Sequence, residues 1–351
     1  MTRAGPGAGG ARGITASGVL AAVLVVAGVV AALWRPWPPA LPAVATDLDR
    51  LAPEVAEAIA RYRAPRRVLA LLLDVLAVAV PVAVVATSGG RRLLRRVAGR
   101  DHHGWRGPLR GAVVAVVVVG LGRLVALPVI AWAGLAQDGT WGVRTASAGA
   151  WWGRVATGIA IELGVMALLG AAVVWLVRRR PARWGTDAVV LGVAGVAVAT
   201  VVWPAVVLPL TTPVEPLGTG LTATAVRATL DDAGLGDLPV AVQVRSDRDV
   251  RSNAVVHGLG PTRRVVIDDT LLARPVDEVV AVVAHELAHQ QHRDVERAVL
   301  ASAVLVAVLA FAVHRTWSSP GRRRRLVGDD VAVHDPRVVA VALAVAAVVG
   351  L

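Results

Sequence analysis

The sequence predicts a mainly α-helical, polytopic membrane protein of about seven spans, the last one incomplete, with one small α+β segment exposed to water. Of its 351 residues, 56% are hydrophobic and only 18% are charged. This composition is too apolar for a soluble domain of this length. Several apolar runs also reach the roughly 20 residues that a helix needs to cross a hydrocarbon core of about 30 Å.

The spans follow from these apolar runs. We predict six complete spans at residues 14–33, 68–86, 111–133, 157–177, 188–210 and 298–313. A seventh run, 338–351, has about 14 residues and is too short for a comfortable crossing. Residues 47–63 alternate charged and apolar side chains at helical spacing, which predicts an amphipathic helix at the membrane interface.

The chain divides into three parts. Residues 1–210 hold five spans, residues 211–297 form the water-exposed segment, and residues 298–351 hold the sixth span and the incomplete seventh. In the water-exposed segment the pattern predicts a helix at 223–233, strands at 240–245, 253–257 and 264–267, and a helix beginning near Pro275.

The charge and the cysteine content exclude two classes of function. The net charge is +12, but the arginines cluster in short loops beside the spans, which is typical of contact with lipid headgroups. Because no nucleic-acid-binding motif accompanies the charge, we expect the lipid bilayer and no nucleic acid as partner. The chain has no cysteine, so disulfides and thiolate metal sites are excluded.

The sequence His285-Glu286-Leu287-Ala288-His289 lies on the last predicted helix of the water-exposed segment. A spacing of four residues puts both imidazoles on one helix face, where they can reach one metal ion. Glu286 is placed to act on a water molecule as a general base. The pattern therefore predicts a zinc peptidase with His285 and His289 as ligands and Glu286 as the catalytic residue.

A wider resemblance accompanies this motif. The stretches SNAVVHGLGPTRRVVIDDTLL (252–272) and VVAHELAHQQHRDV (282–295) resemble the type I CAAX prenyl endopeptidase and HtpX group of membrane metallopeptidases. The resemblance implies a zincin-like peptidase segment with one Zn²⁺ per subunit, acting on membrane-associated, prenylated or unfolded polypeptides. It also implies that an extended substrate pairs with the strand that contains Asn253, Ala254, Val255 and Val256.

One part of the family pattern is missing. The resemblance implies a third zinc ligand from a Glu in an E-x-x-x-D motif after the seventh span, and the sequence reaches Leu351 without one. His292 lies about 10.5 Å of helix rise from His285 and is too far to share an ion. We take His292 and Asp294 as a polar helix exit, and we expect His334 and Asp335 on the opposite side of the membrane.

Three functions are therefore compared. The first is a zinc endopeptidase whose activity depends on the third ligand. The second is a C-terminally truncated, weakly active or inactive homologue that binds peptides without cleaving them. The third is a membrane sensor or transporter with an incidental HExxH.

Location and orientation follow from the spans and the arginines. We expect a multi-pass protein of the cell membrane, of the bacterial plasma-membrane type. The distribution of arginines places the peptidase segment outside the cytoplasm, whereas the resemblance implies the cytosolic side. The oligomeric state is left open. Arg123, Asp74 and Glu162 fall within predicted spans, where they either line an internal chamber or pair between helices.

Overall fold

The computed structural model describes residues 52–100, 103–202, 214–328 and 331–349. The helices outside the water-exposed segment are α1 (Pro53–Ala86), α2 (Ser88–Ala98), α3 (Arg106–Ala131), α4 (Ala148–Arg179), α5 (Trp184–Val202), α8 (Asp294–Trp317), α9 (Pro320–Val327) and α10 (Val338–Val349). The water-exposed segment contains β1 (Val214–Pro216), α6 (Leu221–Asp232), β2 (Val240–Gln243), β3 (Ala254–His257), β4 (Arg264–Asp268) and α7 (Val276–Gln291).

Five of the described helices are long and apolar enough to cross a membrane: α1, α3 with its continuation to Thr140, α4, α5 and α8. They coincide with the second to sixth predicted spans, which confirms a polytopic helical membrane protein. The first predicted span, 14–33, lies outside the described residues, as do residues 203–210 of the fifth. The described part of the predicted interfacial helix, residues 53–63, is not a separate element but the beginning of α1, a single helix of 34 residues.

The last helix, α10, is short but deeply packed. Its 12 residues contact α1, α3, α4 and α8, and Val338, Ala340 and Val341 are almost fully buried. The predicted incomplete seventh span is therefore a helix inserted among the longer spans, where its apolar side chains meet protein on several sides.

Helices α3 and α4 approach closely because glycines face each other at their crossing. A Cβ atom added to Gly111 would lie 2.5 Å from the carbonyl oxygen of Gly170, and a Cβ on Gly170 would lie 2.5 Å from the carbonyl oxygen of Gly111. Small residues at such a crossing let two backbones touch, which is how helices associate in lipid without a hydrophobic driving force.

We expect Gly170→Ala to lower the stability of the bundle by about 1–3 kcal/mol, because the added methyl group must displace backbone. The measurement is the thermal unfolding midpoint in detergent. The matched control is Gly120→Ala in α3, where an added Cβ has no heavy atom within 4 Å. An equal midpoint for the two variants would show that the glycine contact does not hold the helices together.

Two of the three intramembrane charges pair with each other. Arg123 of α3 donates two hydrogen bonds to the carboxylate of Glu162 on α4, each 2.6 Å long. The pair lines a mainly apolar cavity of about 240 Å³ between α1, α3, α4 and α10. Arg123 and Glu162 therefore pair between helices, as one of the two alternatives predicted, while Asp74 is exposed on α1.

The water-exposed segment is a four-stranded sheet in the order β1-β2-β4-β3. Strands β2 and β4 are parallel, whereas β1 and β3 run antiparallel to their neighbours. Helices α6 and α7 cover one face, with Val226, Leu230, Val265 and Ile267 in the core. The predicted strands are confirmed within one or two residues, but β1 was missed because its three residues carry a proline and no alternating pattern.

Candidate metal centre

Helix α7 has two faces of opposite character. Val279, Val283 and Leu287 recur every four residues and are buried against the sheet. His285 comes two residues after Val283, and His289 comes two residues after Leu287, which is a rotation of about 200° around the helix axis. Both imidazoles therefore lie on the exposed face. The helix begins after Pro275, and its first turn contains Asp277 and Glu278, which interact favourably with the positive end of the helix dipole.

The two imidazoles meet through the same ring nitrogen. The Nε2 atoms of His285 and His289 are 3.3 Å apart, and the rings are nearly perpendicular at 87°. Two nitrogen ligands that each lie about 2.0–2.1 Å from a tetrahedral zinc ion are separated from each other by roughly the distance between these two Nε2 atoms. The donor set therefore fits zinc, with Glu286 close by: one ligand atom from each of the three residues lies within 4.8 Å of the others.

The other ring nitrogen of His289 contacts a carboxylate. Nδ1 of His289 lies 2.7 Å from Oδ2 of Asp294. An ionised carboxylate only accepts hydrogen bonds, so Nδ1 carries the hydrogen and the lone pair is left on Nε2. This is the carboxylate–histidine arrangement that commonly orients a metal ligand in proteins.

A strained residue brings Asp294 to this position. Arg293, between α7 and α8, has φ 58° and ψ 40°, a left-handed backbone, and it is the non-glycine residue with positive φ among those that the structure describes. Such a conformation costs an L-amino acid roughly 1–2 kcal/mol. The left-handed backbone of Arg293 lets α7 end and α8 begin within two residues. The Oδ1 atom of Asp294, its second oxygen, accepts a hydrogen bond of 3.3 Å from Arg297 Nη1.

His292 and Asp335, two of the other residues considered as a third ligand, are engaged elsewhere. Nδ1 of His292 lies 2.7 Å from the carbonyl oxygen of Ala288 on its own helix. Asp335 is buried and accepts hydrogen bonds of 2.9 and 3.0 Å from the guanidinium of Arg337. In the part of the chain that the structure describes, His285, Glu286 and His289 form the group that could hold a metal ion.

Strand β3 lies at an edge of the sheet and contacts α7. The amide of Asp268 donates to the carbonyl of Asn253 over 2.9 Å, so Asn253 and Asp268 form a hydrogen-bonded pair of the antiparallel ladder. Backbone direction alternates along a strand. The N–H and C=O groups of Val255 therefore also point to β4, whereas those of Ala254 and Val256 point to the open edge.

Known proteins resemble this chain in sequence family and in fold. Residues 221–350 match the family model described as Peptidase family M48. These matched residues resemble an M48 peptidase domain. Among solved structures, the crystal structure of S. mikatae Ste24p is similar, with a TM-score of 0.67 at 18% identity over 85% of this chain and 70% of that chain. No curated protein sequence matches the chain.

These matches confirm the resemblance and the coarse function drawn from the sequence, a peptidase of this family in a polytopic helical fold. The M48 match begins at Leu221 and runs through α8 and α10. The matched residues thus include the helices that follow the peptidase segment.

Sequence reasoning missed the contact between Asp294 and His289. We took Asp294 as part of a polar helix exit, but its carboxylate contacts His289. The only signal in the sequence is an acidic residue five positions after the second histidine. At that spacing, Asp294 can contact His289 only if the helix ends between the two residues. An arginine at position 293 does not predict a left-handed backbone there.

We expect Asp294→Ala to weaken zinc binding about 10- to 100-fold, because His289 loses the acceptor that fixes its ring and its tautomer. Zinc affinity is measured by competition with a chelating dye, and the tautomer by ¹⁵N chemical shifts of the His289 ring. Glu296→Gln is the control, since Glu296 lies on the same helix turn and pairs with Arg293. Unchanged zinc affinity in Asp294→Ala would rule out this positioning role.

A second prediction concerns His257 at the end of β3. Burial, and then the charge of Arg264 directly across the ladder, lower the pKa of His257 below its usual value of 6.5. At a pH between the lowered pKa of His257 in the folded chain and its usual pKa in the unfolded chain, the unfolded chain binds more protons. The free energy of unfolding therefore falls as the pH drops below about 6.5. Thermal midpoints between pH 7.5 and pH 5 should fall less in His257→Gln than in the unaltered chain; parallel curves would contradict the prediction.

Proposed function

We propose that the chain is a zinc-dependent membrane endopeptidase in which His285 and His289 hold the ion and Glu286 is the general base. The observation that carries this proposal is the 3.3 Å approach of the two Nε2 atoms, with a carboxylate on the same helix within reach. The M48 match of the surrounding segment supports the same reaction class.

The chemistry follows from these groups. When bound, zinc supplies a Lewis acid that polarises the scissile carbonyl and makes water more acidic. Glu286 accepts the proton from the attacking water and passes it to the leaving amine. Asp294 keeps the Nδ1 proton on His289, so that Nε2 stays available as a ligand. Peptide hydrolysis then needs no covalent intermediate with the protein.

The substrate is proposed to lie along the open edge of β3 as an additional antiparallel strand. Of the four residues predicted for this contact, Ala254 and Val256 direct backbone groups outward, whereas Asn253 and Val255 face β4. The contact therefore consists of two backbone N–H and two C=O groups. Because backbone groups make it, it favours extended chains and reads little side-chain sequence.

The position of the site favours substrates at the membrane. Helix α7 ends at Gln291 and the span α8 begins at Asp294, so His289 lies within a few residues of a membrane-crossing helix. We therefore propose membrane-associated, prenylated or unfolded polypeptides as substrates, with one zinc ion per subunit.

We expect Glu286→Gln to lower peptide hydrolysis by about 10²- to 10⁴-fold, since it removes the proton acceptor but not the ligands. The assay is cleavage of dye-labelled casein by purified protein with added zinc. Glu278→Gln, the same change two turns earlier on α7, is the matched control and should retain activity. Zinc affinity should be equal in all three proteins.

The same assay separates the competing functions. A version of the chain extended through a downstream E-x-x-x-D motif supplies the third ligand that the resemblance implies, and it should cleave faster than the 351-residue form. If the extended form is no more active than the same extended form carrying Glu286→Gln, the peptidase proposal is wrong. Peptide binding without cleavage would indicate the non-catalytic homologue instead.

A further inference from the structure

Asp138 lies where the membrane helices meet the peptidase segment. It is 8% exposed and follows directly after a π-helical turn, Trp132–Gln137, at the end of α3. Three side chains donate to its carboxylate. Tyr62 Oη and Arg66 Nη1, both on α1, lie 2.9 and 2.5 Å from Oδ1, and Arg251 Nη2 lies 2.7 Å from Oδ2.

The π-helical turn fixes this arrangement on the membrane side. A π-helix widens the helix by one residue per turn and often marks functional positions. Here it directs Gln137 and Asp138 toward α1, where Nε2 of the Gln137 side chain donates to the backbone carbonyl of Tyr62 over 2.6 Å. Asp138 is thus held to α1 both by its own charged hydrogen bonds and by the hydrogen bond of the neighbouring Gln137.

Backbone contacts extend the connection into the peptidase segment. The amide of Val250 donates to the carbonyl of Val143 over 3.0 Å, and the amide of Thr145 donates to the carbonyl of Arg248 over 3.1 Å. These bonds flank an antiparallel bridge between Arg144 and Asp249. The loop after α3 therefore pairs with the loop that leads into β3.

Arg251 connects this contact to the edge strand. It lies three residues before Ala254, and Asp249 accepts from its backbone amide over 3.0 Å. Asp249 also accepts from Arg245 Nε over 2.9 Å, and Arg245 reaches Asp268 at the end of β4 over 3.3 Å. A continuous set of charged hydrogen bonds thus runs from α1 through Asp138 and Arg251 to the ends of β3 and β4.

We propose that Asp138 and Arg251 form a clamp that sets the position of the β3 edge relative to the membrane helices, and so controls how tightly an extended peptide binds there. The proposal rests on the peptide-binding role of β3 given above. Both residues are positioning residues, since neither touches the metal ligands. Asp138 balances two guanidinium groups, so neutralising it leaves two arginines without their shared carboxylate and loosens the clamp from both sides.

The test compares Asp138→Asn, which keeps the shape and removes the charge, with the unaltered chain, both carrying Glu286→Gln so that bound peptide is not cleaved. Hydrogen–deuterium exchange of amides 245–257 should accelerate about tenfold, while exchange in α7 stays the same. The Kd for a dye-labelled, casein-derived peptide should rise about tenfold. The zinc Kd should change less than twofold.

Asp187→Asn is the matched control. Asp187 lies in the first turn of α5, away from β3, and pairs with Arg180 at 3.6 Å. The substitution makes the same chemical change at another ion pair and should leave both exchange at 245–257 and peptide affinity unaltered.

A disulfide provides a rescue, because the chain contains no cysteine. Arg144 and Asp249 occupy a bridge flanked by hydrogen bonds, a position where Cα atoms lie about 4.5 Å apart, within the range that a disulfide spans. Arg144→Cys and Asp249→Cys are added to Asp138→Asn; because Asp249→Cys also removes the acceptor of Arg245 and Arg251, the oxidised and reduced forms of this one variant are compared. Oxidation should slow exchange at 245–257 and tighten peptide binding relative to the reduced form.

The outcomes are distinct. If Asp138→Asn lowers the thermal midpoint but leaves exchange at 245–257 and peptide affinity unchanged, the residue is only structural and the clamp is wrong. If exchange accelerates as expected but even the unaltered chain binds no peptide, the clamp stands as a mechanical link and the proposed function fails.

Discussion

Burial of one face of α7 is the constraint on which the site depends. Val279, Val283 and Leu287 must leave water together, and the sheet is the surface that covers them. Because a helix is rigid, covering that face fixes the opposite one, and His285 and His289 are held toward solvent at the spacing a metal ion needs. The chemistry is therefore placed by hydrophobic packing on the far side of the same helix.

The membrane adds a second constraint, which acts at two junctions between the peptidase segment and the membrane helices. At its C-terminal end, α7 must give way to a span within two residues, and the left-handed Arg293 makes that change of direction possible. The strain has a structural consequence beyond the turn, since it places Asp294 against His289. Between β2 and β3, the loop that leads into β3 pairs directly with the loop after α3, and the carboxylate of Asp138 accepts from Arg251 beside this contact.

The two junctions differ in what they contact. At the α7–α8 junction, Asp294 contacts His289, one of the two histidines proposed to hold zinc. At the α3–β3 junction, Asp138 pairs with Arg251, three residues before Ala254 of the strand proposed to bind peptide. Because the residues involved do not overlap, zinc affinity and peptide affinity should respond to different substitutions, although both junctions are built on membrane helices.

The sequence by itself determined the features that depend on neighbours along the chain. Apolar runs indicated the described spans, and the four-residue spacing of His285 and His289 placed them on one helix face, because both follow from local periodicity. Only the tertiary structure decided that β3 lies at the edge of the sheet, that α10 packs inside the bundle, and that Asp138 meets Arg251 across 113 positions. Such contacts join segments far apart in sequence, and no repeating pattern records them. The left-handed turn at Arg293 is local, yet it too was undetectable, because arginine has no preference for that conformation and adopts it only where the packing of α7 and α8 requires it.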